Sequence, residues 1–335
     1  MKPNEIKFID WIEYNTLFVF EHFLGYKPFC KLFGKCQGKL FKRIDSYLTG
    51  KEIKGSIEIN EVDKDIPFEE FMKTCYQKRV PVVFRGAACE WGAIKKWSPD
   101  FFEYNYGNQK IILNDNVGLA DQKFEVLSLA DYVKQFKSRS LKYLRFSDIV
   151  SRNKELLEDF DLRWLRRFNL PLSWGEDVKM FMGIKGSLTP LHVGFSDFLF
   201  VQVMGQKKWI FYPTNNRLFL DARTERTLHY YSNANPYNVI DKNYPLLKYA
   251  QPFEVILNPG DVLWVPSLVW HHVENKSDSI GIRFGRSSLF SGLKSSIVFT
   301  ILMFLFSTKP NLFIQALTRR IQKKDLQFAK SQKDL

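Results

Sequence analysis

The chain has 335 residues, 45% apolar and 25% charged, which excludes wholesale disorder and leaves ample length for a buried core. Its net charge is +13. Most of the excess lies at the ends, with ten Lys/Arg against six Asp/Glu in residues 1–55 and seven against two in residues 307–335. The cysteines Cys30, Cys36, Cys75 and Cys89 show no C-x-x-C spacing, which speaks against a disulfide scaffold, a zinc site or a redox motif. They read as reduced, buried thiols.

Residues 8–44 predict amphipathic helices, from Phe8, Ile9, Trp11 and Ile12 through Leu17, Phe18 and Phe20 to the basic run Lys31, Lys35, Lys39, Lys42, Arg43. The apolar stretch Thr16-Leu-Phe-Val-Phe20 is too short for a secretory signal and is followed by Glu21 and His22. A cytoplasmic location is therefore expected. From about residue 56 short strands with Gly/Pro turns take over: Ile57-Glu-Ile-Asn-Glu-Val62, Val80-Pro-Val-Val-Phe-Arg-Gly86, Phe198-Leu-Phe-Val-Gln-Val203, Lys207-Lys-Trp-Ile-Phe-Tyr212, Phe253-Glu-Val-Ile-Leu257, Val262-Leu-Trp-Val265 and Ser279-Ile-Gly-Ile-Arg-Phe284. Ser98-Pro99 reads as a helix start, with the serine as cap. Many short strands without alternating helices predict a β-sandwich or barrel rather than a parallel sheet. The expected division is a helical extension over 1–55, a β-domain over 56–288 and hydrophobic, basic helices over 289–335.

Within that last part residues 295–308 are uncharged. A helix of this length would run about 21 Å, short of the ~30 Å hydrocarbon core, so it is not expected to span a membrane. After Lys309-Pro310 a second amphipathic helix is expected, from Leu312 through Arg319, Arg320, Lys323 and Lys324. The apolar, basic ends carry two readings. They pack on the main domain, the C-terminal helices joining two copies as a homodimer, or they lie on the inner face of an anionic membrane. Nucleic acid fits poorly, because the basic residues alternate with large apolar ones and no binding motif accompanies them.

Five histidines are present: His22, His192, His229, His271 and His272. Around three of them stand five phrases in order: Pro81-Val-Val-Phe-Arg-Gly86 with Trp91 and Trp97; Gly186-Ser-Leu-Thr-Pro-Leu-His192; Val201-Gln-Val-Met-Gly-Gln-Lys-Lys-Trp209; Pro259-Gly-Asp-Val-Leu-Trp-Val-Pro266; and Trp270-His-His-Val-Glu274. This order resembles the JmjC and cupin-like family of Fe(II)- and 2-oxoglutarate-dependent oxygenases, especially the branch of the asparaginyl hydroxylase called factor inhibiting hypoxia-inducible factor.

The resemblance implies a mainly β fold with flanking helices around a double-stranded β-helix, or jelly-roll, which holds one iron and uses 2-oxoglutarate and O₂. His192 and His271 match the metal ligands, and His272 would be the outward neighbour. Lys207 and Thr189 match the residues that hold the distal carboxylate of 2-oxoglutarate. Arg283 stands where other oxygenases of the fold place a cosubstrate arginine, and reads equally as a rim ion pair. Trp164-Leu-Arg-Arg-Phe168 and Trp174 read as support for the barrel.

Two departures matter. Gly194 stands where the family has its carboxylate ligand, and Phe198 replaces an asparagine. Asp197, five residues after His192, would fall on the other strand face. A His-x-Gly change is what halogenases of the superfamily show, chloride filling the vacated position. The expectation is therefore a halogenase acting on an unactivated C–H bond of a lipid or small molecule. The alternatives are a hydroxylase of a protein or small molecule and a non-catalytic cupin-like binding protein.

Overall fold

Strands that turn aromatic and branched side chains alternately to two cores set the architecture. The computed structural model describes residues 6–51, 55–114, 124–170, 172–224 and 230–306. Its strands are β1 (Ile57–Glu58), β2 (Asn60–Glu61), β3 (Val82–Phe84), β4 (Lys110–Asn114), β5 (Phe124–Ser128), β6 (Leu144–Ser147), β7 (Trp174–Gly183), β8 (Leu188–Val193), β9 (Ser196–Met204), β10 (Lys207–Tyr212), β11 (Tyr230–Tyr231), β12 (Phe253–Leu257), β13 (Val262–Val265), β14 (Trp270–Asn275) and β15 (Ser279–Ser287). The helices are α1 (Phe8–Leu24), α2 (Tyr26–Leu48), α3 (Phe68–Phe71), α4 (Gly92–Lys96), α5 (Pro99–Tyr106), α6 (Leu129–Lys137), α7 (Ile149–Arg152), α8 (Leu162–Arg166), α9 (Leu289–Ser295) and α10 (Ile297–Leu305).

The first sheet has the order β1-β12-β10-β14-β8-β11 and the second β2-β3-β13-β9-β15-β7-β6, with β4 and β5 as a separate ribbon. From β7 to β10 each strand joins the sheet opposite its predecessor, and from β12 to β15 this repeats. That winding is a jelly-roll. The fold is thus mainly β with flanking helices. On β10, Trp209 and Phe211 fill the space between the sheets while Ile210 and Tyr212 face outward. On β9, Phe198 and Phe200 point inward and Leu199 and Val201 outward, as a period of two requires.

Two of the sequence phrases prove to be turns that clasp each other. Asp261 accepts the backbone N–H groups of Gly86 and Asn258 at 3.0 and 2.9 Å and pairs with Arg85 at 2.8 Å. Gly260 has φ +92°, and a Cβ there would stand 2.5 Å from the Cys89 sulfur. At Gly205, φ is +69° and a Cβ would stand 1.8 Å from the Asp278 carbonyl oxygen, so only glycine closes the β9–β10 turn. Ser98 caps α5 as expected, accepting from the Phe101 N–H at 3.0 Å.

At the two ends α1, α2 and α10 cover the outer face of the first sheet. Tyr14 and Phe18 of α1, Phe29 and Leu40 of α2 and Phe299 of α10 share one core with Ile210 and Trp270. Arg217 is the tie. It is almost wholly buried, its guanidinium 4.5 Å from the Trp11 ring and 4.8 Å from that of Phe299. It donates to Asn15 and to the Ser296 hydroxyl. Burial lowers its pKa to about 10, so it stays charged at neutral pH and is held by ring faces and dipoles. Arg79 plays the same part for α9, donating to Ser295 at 2.8 Å and Ser291 at 2.6 Å.

Ser296 interrupts the uncharged C-terminal stretch and caps α10, which is only nine residues long. Among the described residues no helix is long and apolar enough to cross a membrane. The second C-terminal helix expected from Leu312, and His229, lie outside the described residues. The cysteines correct one expectation: Cys75 is buried, but Cys36 and Cys89 are exposed and Cys30 half-buried, because Cys36 lies on the outer side of α2 and Cys89 in a surface turn.

Arg217→Ala leaves a cavity among four rings and removes both hydrogen bonds. It should cost about 3 kcal/mol in urea unfolding and speed amide exchange in α1 before it affects the strands.

Candidate functional site

The site begins with the pairing of β8 and β14. His192 stands directly opposite His271, but the next pair is Thr189 opposite Val273. Three residues of β8 therefore match two of β14, a bulge over Pro190 and Leu191. Without it Thr189 and His192, an odd number apart, would face opposite ways. With it both point between the sheets, while Leu191 and Val193 pack outward.

The two imidazole centroids are 4.1 Å apart. Each ring is fixed by its own strand: Nδ1 of His192 lies 2.8 Å from the Pro190 carbonyl and Nδ1 of His271 3.0 Å from that of Val269. A carbonyl only accepts, so both Nδ1 atoms carry a hydrogen, and each ring in its neutral form has the lone pair on Nε2. This is the tautomer a metal ligand needs, with a backbone oxygen holding the second nitrogen. Phe198 and Trp209 each stand 5.8 Å from the His271 ring and make its surroundings apolar. His272 points to the opposite face, 5.7 Å from the Tyr237 ring, and burial pushes its pKa down to about 4.

Lys207 lies in the same interior. Its Nζ sits 4.9 Å from the Phe200 ring centroid, and Trp209 links Phe200 (4.9 Å) to His271 (5.8 Å). The ammonium is 1% exposed and donates to the Tyr143 hydroxyl at 3.1 Å. Among the described residues no carboxylate pairs with it, and burial lowers its pKa to about 7. Thr189 lies beside the same hydroxyl, where it offsets part of the upward pKa shift that burial gives Tyr143. Lys207, Thr189 and Tyr143 thus form one buried group of donors suited to a carboxylate.

Sequence reasoning missed Tyr143. It stands just before β6, with Leu144 next to it in the outer core and the Arg145 guanidinium 5.8 Å from its ring. Arg145 is fully buried, and this lowers its pKa.

Arg283 also lies on the inner face, its guanidinium 4.9 Å from the Phe198 ring, but it is ion-paired with Asp177. The Asp177 pair is the ion pair that the sequence offered beside a cosubstrate role. Gly194 lies in the turn between β8 and β9, its carbonyl accepting the Leu268 N–H at 2.9 Å. Leu268 itself has φ +62°, a strained conformation next to the site. Asp197 cannot stand in for a carboxylate ligand, because it accepts from Arg79 and from the Ser267 N–H, both at 2.9 Å. Among the described residues no three His, Cys, Asp or Glu side chains converge on one point. A cleft lined by Leu165, Phe168, Trp264, Phe284 and Arg286 lies on the outer side of the second sheet. It shares Phe198 with the interior site and holds neither histidine.

These residues fit an iron and 2-oxoglutarate in part. Two imidazoles of the right tautomer offer two protein ligands, and a buried cation with two hydroxyls fits the distal carboxylate. The third protein ligand of the usual set is missing.

Residues 68–284 match the profile of the family described as the cupin-like domain. The chain is similar to Jumonji C domain-containing protein 5 of Drosophila melanogaster, 22% identical over 231 residues, which cover 64% of this chain and 57% of the relative. It is 27% identical over 257 residues to the 2-oxoglutarate and iron-dependent oxygenase JMJD4 of Mus musculus, with coverage of 64% and 57%. It is 23% identical over 242 residues to the lysine-specific demethylase JMJ30 of Arabidopsis thaliana, with coverage of 68% and 55%. The chain thus spans a little over half the length of these relatives.

The lysine gives a test that needs no ligand. An exposed lysine titrates near 10.4, so from about pH 7 to 10 the unfolded chain holds a proton that folded Lys207 has lost. Its contribution to stability rises with pH across that window, and below it the full cost of burying the ammonium is carried. Lys207→Met should stabilise the ligand-free protein by about 3 kcal/mol at about pH 6, and the gain should shrink toward pH 10. Urea midpoints of both proteins at the two ends of the window measure this.

Proposed function

Because this chain belongs to the cupin-like domain family, we propose that it is an Fe(II)- and 2-oxoglutarate-dependent oxygenase. The observation that carries the reading is the pairing, inside one barrel, of two inward imidazoles with the Lys207, Thr189 and Tyr143 group. His192 and His271 would hold the metal through Nε2, their rings kept in aim by the Pro190 and Val269 carbonyls. Lys207 would pair with the distal carboxylate of 2-oxoglutarate, and the two hydroxyls would donate to it. Binding an anion there returns Lys207 to its charged form, so the cost of burying the ammonium is offset only when the cosubstrate is present. Phe198, Trp209 and Phe211 keep water from the histidine side of the cavity. When bound, iron and 2-oxoglutarate supply the activation of O₂ that oxidises a C–H bond.

The outcome at that bond turns on Gly194. With water or a substrate group in the position it leaves, the product is hydroxylated. The printed names of the relatives, an oxygenase and demethylases, favour oxygen transfer. With chloride there, the product is halogenated, a reading that rests on Gly194 and on the engagement of Asp197 by Arg79.

Anaerobic addition of Fe(II) and 2-oxoglutarate should give a weak visible charge-transfer band. The band should be lost in His192→Ala and in His271→Ala, and should need about 100-fold more 2-oxoglutarate in Lys207→Met. Absence of the band from the unaltered protein would leave a non-catalytic binding protein. A band that shifts with chloride, and stops shifting in Gly194→Asp, would assign halogenation. A band indifferent to chloride assigns hydroxylation.

A further inference from the structure

Helix α1 is apolar on both sides. Tyr14, Leu17 and Phe18 pack inward, yet Ile9, Ile12, Phe20 and Phe23 on the opposite side are each 40% or more exposed. Helix α10 does the same, burying Phe299 and Leu302 and exposing Ile297, Ile301 and Leu305, one helical turn apart. The two exposed stripes are continuous: Phe23 meets Phe306 with ring centroids 5.2 Å apart. The patch then reaches α2, where Phe20 stacks on Phe33 at 5.3 Å. A surface this apolar marks contact with something other than water.

Its border tells what that is. Lys27, Lys31, Lys35 and Lys39 recur every fourth residue along the exposed side of α2, with Leu32 exposed among them. The carboxylates of both helices are already engaged. Asp10 and Glu13 are held by Arg43, Glu21 accepts from the Thr224 backbone, and Asp45 pairs with Lys248. The region thus presents apolar side chains beside a row of lysines that no carboxylate among the described residues pairs with. A second copy docked by two-fold symmetry would bring two such rows to one interface.

We infer that α1, α2 and α10 form a docking surface for an anionic lipid bilayer, lying in the interface plane without crossing it. At nine residues α10 spans about 14 Å, too short to cross but suited to lie at the headgroup boundary. The surface borders the barrel end that carries Gly194. Phe304 stacks on Phe195 at 6.4 Å and meets Trp174 at 6.3 Å. The inference is independent of the oxygenase reading, since vesicle binding requires neither His192 nor Lys207.

Flotation of the full chain with phosphatidylcholine vesicles, with and without phosphatidylglycerol, tests it. The protein should float with the anionic vesicles at about 0.1 M salt, bind neutral ones about tenfold less, and detach as salt rises. The double variant Lys31→Glu/Lys35→Glu should lose at least about tenfold in affinity, because each lysine near the surface contributes comparably. Ile12→Asp/Ile301→Asp should abolish binding while circular dichroism and the melting temperature stay unchanged, since both residues are exposed. Protein that stays unbound with anionic vesicles at low salt overturns the inference. So does binding that survives the isoleucine changes, or a stable dimer in solution that ignores vesicles and comes apart in the Ile12/Ile301 variant, which would assign the patch to a second copy.

Discussion

One irregularity in strand pairing decides what the barrel can hold. The bulge at Pro190 and Leu191 turns Thr189 and His192 to the same side of β8, so one short strand serves both ends of the candidate site. Opposite it, regular alternation on β14 gives His271 inward and His272 outward, and on β10 gives Lys207, Trp209 and Phe211 inward. A regular β8 would send either the imidazole or the hydroxyl into the outer core among Leu191, Val193 and Trp270. The facing of His192 toward His271 and of Thr189 toward Tyr143 depends on that one extra residue.

The interior so formed is unusual in its electrostatics. Lys207 is surrounded by the rings of Phe200, Phe181 and Tyr143, and Arg145 is buried on the same side as Tyr143. Burial lowers the pKa of both cations, as desolvation of a charged group requires. Arg283 shows the contrast. Asp177 pairs with it, and its guanidinium lies over the Phe198 ring.

The outer face of the same sheet is finished by the two ends of the chain. α1 and α10 come from opposite termini, yet they meet on Arg217 and on the Phe18–Phe299 contact at 5.1 Å. Their packing uses only one side of each helix. The other side stays apolar because neither helix finds a second layer of protein among the described residues.

Much of this was legible from residue order. Alternating strands and glycine turns indicated a β-sandwich or barrel, because periodicity and turn chemistry are local, and the family resemblance of the phrases around His192 and His271 implied the jelly-roll and the histidine pair that the structure brings together. The resemblance marked Gly194 as the place of the family's carboxylate, and the odd separation of Asp197 from His192 set it on the other strand face. Tyr143 could not be read in this way. It lies far from Lys207 and Thr189 in the chain, just before a four-residue strand with no motif, and only pairing of β6 with β7 brings it to them. The partner of Arg283 and the exposure of Cys36 and Cys89 likewise depended on neighbours distant in sequence. Local chemistry determined which elements form and which residue types stand in them. Long-range pairing decided which side chains share a dielectric environment, and hence which become ligands, ion pairs or exposed contacts.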